Sequence, residues 1–335
     1  MRHQDINSAL PHSISHLMRG KDELRKTDKM KKTILLVLVL ALGLIVRVAE
    51  ADFTFDRPTN LGPTVNSSAY DEAPSISADG LTLYFNSNMS GGYGNFDLWM
   101  TTRPTKDAPW GPPENLGPTI NSPAREQGPS ISADGLTLYF SSTRPDGYGT
   151  TWGDIWVTSR ATTSDLWSKP ENLGSVVNRP PAVFAPSISY DGLSLFFGSN
   201  WAGGFGSTDI WVTARPTTDD AWEEPVNLGS TVNSLAHEGA PSISADGLAL
   251  FFSDIVFEPY RSGGYGKADL WITTRPTVSD PWGSPVNLGL AINTSHYDFF
   301  PNISADGSTF ILCPTGPAGP ALGTSGRHQC CPLLT

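Results

Sequence analysis

The chain has 335 residues, with 22 Lys and Arg against 33 Asp and Glu, a net charge of −11. Residues 52–335 alone hold 13 basic and 28 acidic residues, a net of −15, which disfavours nucleic acid and anionic membrane surfaces, since both are held through Lys and Arg. The 33 Gly and 28 Pro interrupt the chain too often for long helices, while 10 Trp and 39% apolar residues exclude disorder over most of its length.

Residues 1–29 are polar and unpatterned, and fit an extension upstream of the natural start codon. Residues 30–51 read as a signal peptide. Lys31-Lys32 precedes an apolar run from Thr33 to Val46, and Ala49-Glu50-Ala51 has the small-x-small form of a cleavage site. The run is short for a spanning helix; an uncleaved anchor is the alternative. The mature chain is expected to start at Asp52 and to be periplasmic or extracellular, with no stable membrane insertion after cleavage. The cysteines are Cys313, Cys330 and Cys331, all in the tail, so the exported body must be stabilised by packing rather than disulfides.

From residue 52 onward one unit repeats. Asn-Leu-Gly occurs at Asn60, Asn115, Asn172, Asn227 and Asn287. Pro-x-Ile-Ser-x-Asp-Gly begins at Pro74, Pro129, Pro186, Pro241 and, with Asn at the second position, at Pro301. Asp-(Leu/Ile)-Trp begins at Asp97, Asp154, Asp209 and Asp269, and a further Trp stands at Trp110, Trp167, Trp222 and Trp282. A fixed period of this size signals a repeat architecture.

Each unit predicts four short strands. In the first, Ala73–Ser77 is followed by an Asp79-Gly80 turn, an alternating strand over Leu81–Phe85, the Gly-rich loop Gly91–Gly94, a third strand over Asp97–Arg103 and a weak fourth over Trp110–Leu116. No window sustains a 3.6-residue period. Four antiparallel strands per repeat predict an all-β fold, a five-bladed β-propeller spanning 52–312. Phe55 to Gly62 matches the fourth strand of a unit, so it is expected to close the ring by completing the incomplete fifth blade. Residues 313–335 form an aberrant low-complexity tail that carries every Cys and lacks the expected Gly-rich loop and Asp-x-Trp. A shifted reading frame would account for it.

Pro-Ser-Ile-Ser-Ala-Asp-Gly-Leu-Thr-Leu-Tyr-Phe at 129–140, with Arg144–Gly149 and Asp154-Ile155-Trp156, resembles the TolB-type, WD-repeat-like β-propeller repeat. The resemblance covers about residues 53–310. It implies an exported envelope protein that binds other proteins or cell-wall material, and it implies no particular reaction.

The predicted loop face carries three recurrent features. Asn66, Asn121, Asn178, Asn233 and Asn293 precede the repeat's Pro by eight residues; Asp71, Glu126, Glu238 and Asp298 precede it by three, with Val183 as the exception; and Tyr93, Tyr148, Phe205 and Tyr265 stand in the Gly-rich loops. One reading is an acidic, aromatic-rimmed cup holding sugar hydroxyls or Ca²⁺, which takes oxygen ligands. The other is structural: residues present in every blade cap turns, pack between blades or bond to nearby amides. Departures from the repeat are further candidates: Trp152 and Trp201, the insertion with Phe257, Glu258, Tyr260 and Arg261, and His237 and His296. No metal or other cofactor is otherwise indicated.

No Gly-x-Ser-x-Gly, His-Glu-x-x-His or Gly-x-x-x-x-Gly-Lys is present. The expected function is an exported binding module recognising a protein or envelope polysaccharide through Asp71, Glu126, Glu238, Asp298, Trp152, Trp201 and Tyr260. A glycoside hydrolase using paired carboxylates about 5–10 Å apart is the competing class, and a purely structural scaffold the third.

Overall fold

The computed structural model describes residues 53–148, 153–254 and 258–314, and the backbone of 331–334. The leader readings on 1–52, Trp152, Phe257 and most of the tail lie outside these residues. Among the described residues all regular structure is β, and no helix is long and apolar enough to cross a membrane.

The first blade is β1 (Asp71–Ile76), β2 (Thr82–Ser87), β3 (Asp97–Thr102) and β4 (Glu114–Asn115), antiparallel in that order. The second is β5 (Glu126–Ile131), β6 (Thr137–Ser142), β7 (Asp154–Ser159) and β8 (Glu171–Asn172). The third is β9 (Val183–Ile188), β10 (Ser194–Ser199), β11 (Asp209–Ala214) and β12 (Val226–Asn227). The fourth is β13 (Glu238–Ile243), β14 (Ala249–Asp254), β15 (Leu270–Thr274) and β16 (Val286–Asn287).

The propeller therefore has four four-stranded blades, not the expected five. After the fourth comes a three-stranded sheet of β17 (Asp298–Ile303), β18 (Phe310–Pro314) and β19 (Cys331–Leu334). The N-terminal segment forms no strand; Phe53 and Phe55 instead pack on Phe251 and Phe310. The reason is visible in the sequence. A fourth strand is only two residues long and pairs through Trp and its successor on strand three, as Trp99↔Asn115 and Met100↔Glu114 do. Residues 298–314 contain no Asp-x-Trp for Thr59-Asn60 to meet. β18 also runs to Pro314, two residues past the expected end at 312.

The inner strands β1, β5, β9, β13 and β17 neighbour one another in a closed cycle. Side chains stitch that cycle: Ser75 Oγ accepts from Ile131 N, Ser130 Oγ from Ile188 N, Ser187 Oγ from Ile243 N and Ser242 Oγ from Ile303 N. Asn302 Oδ1 accepts from Ile76 N at 3.0 Å and closes it. Each inner strand carries a bulge. Its extra residue is left-handed: Ala73, Gly128, Ala185, Ala240 and Phe300, with φ of 51, 59, 49, 48 and 53°. A bulky side chain rarely adopts that conformation, so Phe300 is the outlier of the set.

Apolar residues alternate along the strands, so each interface between units has its own core. Between the first two blades, Tyr84, Leu98, Met100, Leu116 and Ile120 meet Ile131, Leu138, Phe140, Trp156 and Trp167. On the side of the hairpin turns, Arg103, Arg160, Arg215 and Arg275 lie 4.2–4.3 Å over Trp110, Trp167, Trp222 and Trp282. Each Arg also donates to a turn carbonyl, as Arg103 Nε does to Gly80 O. The recurrent Trp before Asn-Leu-Gly is thus a cation–π platform.

Candidate functional site

The Gly-rich loop of each blade is built around the Asp of Asp-(Leu/Ile)-Trp. Asp97 is 1% exposed and accepts from Tyr93 N, Gly94 N and Asn115 Nδ2. Asp209 and Asp269 repeat all three bonds, to Phe205, Gly206 and Asn227 and to Tyr265, Gly266 and Asn287. Asp154 accepts from Tyr148 N and Asn172 Nδ2. The glycine is required sterically: a Cβ on Gly94 would sit 2.1 Å from Ala124 O in the next unit. Anchored below, each loop leaves its aromatic ring in solvent. Tyr93, Tyr148, Phe205 and Tyr265 are 51, 51, 45 and 52% exposed.

The recurrent Asn residues are internal. Asn121 Oδ1 accepts from Leu98 N while its Nδ2 donates to Leu98 O and Asn115 Oδ1. Asn178, Asn233 and Asn293 do the same on β7, β11 and β15. They lock the 4–1 loop, which joins a fourth strand to the first strand of the next unit, to strand three rather than face a ligand.

The four acids are all 0% exposed. Asp71 accepts from Ser67 N and Oγ, Glu126 from Ser122, Glu238 from Ser234 and Asp298 from Thr294. They face protein, not an open cup, and among the described residues no group of three His, Cys, Asp or Glu could hold a metal ion. Burial raises the pKa of Asp71 and Glu238, and pushes Asp298 up to about 6.

The two Glu residues each pair with an Arg, whereas in the first blade Met89 stands where Arg144 stands in the second. Arg144 Nη2 lies 3.1 Å from Glu126 and Arg261 Nη2 3.1 Å from Glu238, and the two guanidinium groups stack over Trp156 and Trp271. In the third blade Val183 replaces the acid, and Trp201 takes the Arg position, 5.0 Å from Trp211. Trp201 is 9% exposed and donates to Arg179 O, so it belongs to the core and is not an exposed aromatic. Tyr260 is half-buried against Tyr297. Together with Phe299 and Phe300, Tyr297 forms an aromatic group at the start of β17.

The axis itself is narrow and uncharged. A cavity of about 60 Å³ is lined by Ser75, Ser130, Ser187, Ser242 and Asn302 with neighbouring Ile and Ala, room for a few waters. A second, of about 30 Å³, is lined by the bulge residues and their prolines, including Phe300.

The fourth blade departs most from the repeat, and sequence reasoning missed its main feature. Asp254 stands where Ser87, Ser142 and Ser199 stand in the other blades. It is 1% exposed; Trp271 Nε1 donates to Oδ2 at 3.2 Å, and Oδ1 has no partner. Burial first, then the charge of Glu238, pushes it up to about 7. Glu72, half-buried on β1 beside Asn86, is likewise pushed by burial to about 7. A comparison of aligned units, asking where a charge replaces Ser, would have singled out Asp254.

This architecture defines an all-β protein of propeller class. No protein-family model and no curated protein matches the sequence. Solved structures match in fold. A thermostable family-43 glycoside hydrolase aligns at a TM-score of 0.51 and 13% identity, over 84% of this chain and 92% of the other. The α-L-arabinofuranosidase PaAbf62A of Podospora anserina, solved with cellotriose, aligns at 0.50 and 13%, over 84% and 96%. A TolB-type protein of Agrobacterium tumefaciens aligns at 0.46 and 17%, over 78% and 79%.

Proposed function

We propose that the protein is an exported binding module whose Gly-rich-loop face recognises a protein or envelope polysaccharide. The observation that carries this reading is the set of four half-exposed rings, Tyr93, Tyr148, Phe205 and Tyr265, one per blade on loops pinned by a buried Asp. A rigid, exposed aromatic offers large contact area at little entropic cost, which suits stacking on sugar rings or anchoring a protein partner. The acids contribute by holding the loops beneath, and Ca²⁺ has no assembled set of oxygen ligands among them.

The test is a screen of glycans and envelope proteins, repeated with Tyr93→Ala, Tyr148→Ala, Phe205→Ala and Tyr265→Ala. Each is expected to weaken binding about three- to tenfold with Tm unchanged. Retained affinity in the quadruple variant would place the site elsewhere.

A second reading, a glycoside hydrolase, is favoured by the neighbouring carboxyls Asp254 and Glu238. A general acid must hold its proton near neutral pH, and Asp254 meets that condition. Both are enclosed, at 1% and 0% exposure, which is why binding is preferred. Hydrolysis of arabinan or xylan that disappears in Asp254→Ser would reverse the preference.

A further inference from the structure

We propose that Phe300 is a stacking platform for one sugar ring of a polysaccharide, at the centre of the Gly-rich-loop face. This rests on the binding reading above and narrows its ligand to a glycan.

The first observation is a strained aromatic where the other units carry a small residue. The third residue of each inner strand is the left-handed residue of the bulge, and four units place Ala73, Gly128, Ala185 and Ala240 there. Gly adopts that conformation without strain, and Ala brings only a Cβ into it. Phe300, at a φ of 53°, brings a whole ring. Closing the bulge does not need one, since four units close it without. Phe300 meets Phe299 edge to face, with ring centroids 5.4 Å apart, and is otherwise only half-buried. Backbone strain that the scaffold does not require gathers at ligand sites.

The second observation is its place. The inner strands run from the 4–1 loops to the hairpin turns, and their first residues pair beside the Gly-rich loops, as Asp71 does with Ser87. The bulge therefore lies toward the loop face. There Phe300 lines the axial cavity of about 30 Å³ with Ala73, Gly128, Ala185 and Ala240. Tyr93, Tyr148, Phe205 and Tyr265 stand around that axis, one on the loop of each blade. At the preceding position of the inner strands, Glu72 stands on β1, the strand next to β17, and Gln127 on β5, the next in the cycle; both are half-buried. An aromatic ring with a carboxyl and an amide nearby suits a sugar, which offers a C–H face to stack and hydroxyls to hydrogen-bond.

The rim favours a glycan over a protein partner. Its loops are near copies: Gly-Gly-Tyr-Gly at 91–94 and 263–266, Asp-Gly-Tyr-Gly at 146–149 and Gly-Gly-Phe-Gly at 203–206. Equivalent sites suit a ligand built of equivalent units. A polysaccharide presents such units, and the surface of a folded protein does not.

The test titrates cellohexaose, xylohexaose and chitohexaose into the full chain by calorimetry. At least one is expected to bind saturably. Phe300→Leu keeps an apolar side chain but no planar ring, and should weaken that binding at least about fivefold. Phe300→Tyr, which restores a ring, should restore the affinity. Phe300→Ala copies the first, third and fourth blades; it should weaken binding as Leu does, with Tm unchanged or raised, because relief of strain offsets the lost contact with Phe299. Saturable binding by none of the three glycans, or parent affinity in Phe300→Leu, overturns the proposal. So does a fall in Tm of more than about 4 °C in Phe300→Ala, which would make the ring a packing residue. An envelope protein that binds the parent but not the variant lacking all four rim rings would leave the binding reading standing while this proposal falls.

Discussion

Replacing Asp254 by Ser restores the residue that the other blades carry, and it should stabilise the protein in a pH-dependent way. Asp254 is ordinarily a 3.8 acid and is pushed up to about 7 by burial and by Glu238, with Asp269 adding a smaller repulsion and Arg261 a smaller attraction. A folded pKa above the unfolded one means that the folded state holds its proton more tightly. Below about pH 4 the group is protonated in both states and contributes nothing. As pH rises from about 4 to 7 the unfolded chain gains from ionisation while the folded chain does not, so stability falls; above 7 the penalty is constant. The interval from 3.8 to about 7 corresponds to about 4 kcal/mol.

The substitution also removes the bond from Trp271 Nε1, worth about 1 kcal/mol. Trp99, Trp156 and Trp211 already have Nε1 buried without an acceptor, so the variant returns the fourth blade to the state of its neighbours. The net expectation is about 3 kcal/mol of added stability at pH 8 and little or none at pH 4. Urea unfolding of both chains across pH 4–8 measures it. A gap at pH 8 below about 1 kcal/mol, or one independent of pH, would show that Asp254 is ionised at no cost and that its environment has been misjudged.

Two further outcomes are expected. Arg144→Leu leaves the fully enclosed Glu126 without its cation and should cost about 3 kcal/mol. Adding Glu126→Val and placing Trp at 144 instead of Leu reproduces the third blade's Val183 and Trp201 and should recover most of that loss in urea unfolding. Failure of the paired exchange would mean that the two arrangements are not interchangeable solutions of one site. For export, N-terminal sequencing of secreted protein should return Asp52-Phe53-Thr54, and an intact Met1 or Met30 would refute cleavage after Ala51.

Much of the fold was legible because the sequence repeats. Five copies of Asp-Gly between a Pro-led segment and an alternating strand determine hairpin, bulge and register together, and the structure follows them in four blades and in the β17–β18 hairpin. Blade closure was not legible. Phe55 to Gly62 matches a fourth strand in sequence, but strand identity there depends on a partner. Two residues cannot hold a strand where residues 298–314 supply no Asp-x-Trp. At the site, recurrence concealed role. The acids recur because each anchors a 4–1 loop through a Ser or Thr four residues earlier, and a sequence pattern cannot tell a buried recurrent carboxylate from an exposed one.

Recurrence is nonetheless informative when the exceptions are read jointly. Val183 looks like a lost acid and Trp201 like a gained binding aromatic when each is taken alone. Together they are a single substitution: an apolar pair in place of the Glu–Arg pair of the second and fourth blades, with Trp201 on Trp211 as Arg144 is on Trp156. The same joint reading makes Asp254 conspicuous, because no described residue of its blade pairs with its Oδ1. Glu238 already has Arg261, and the added carboxyl keeps one oxygen unpartnered. It also makes Asn66 conspicuous, because its Oδ1 is unpartnered where the four other Asn accept a strand-three amide. An exception with a compensating partner is repair of the blade. An exception without one, such as Asp254, stays buried with a polar atom unsatisfied.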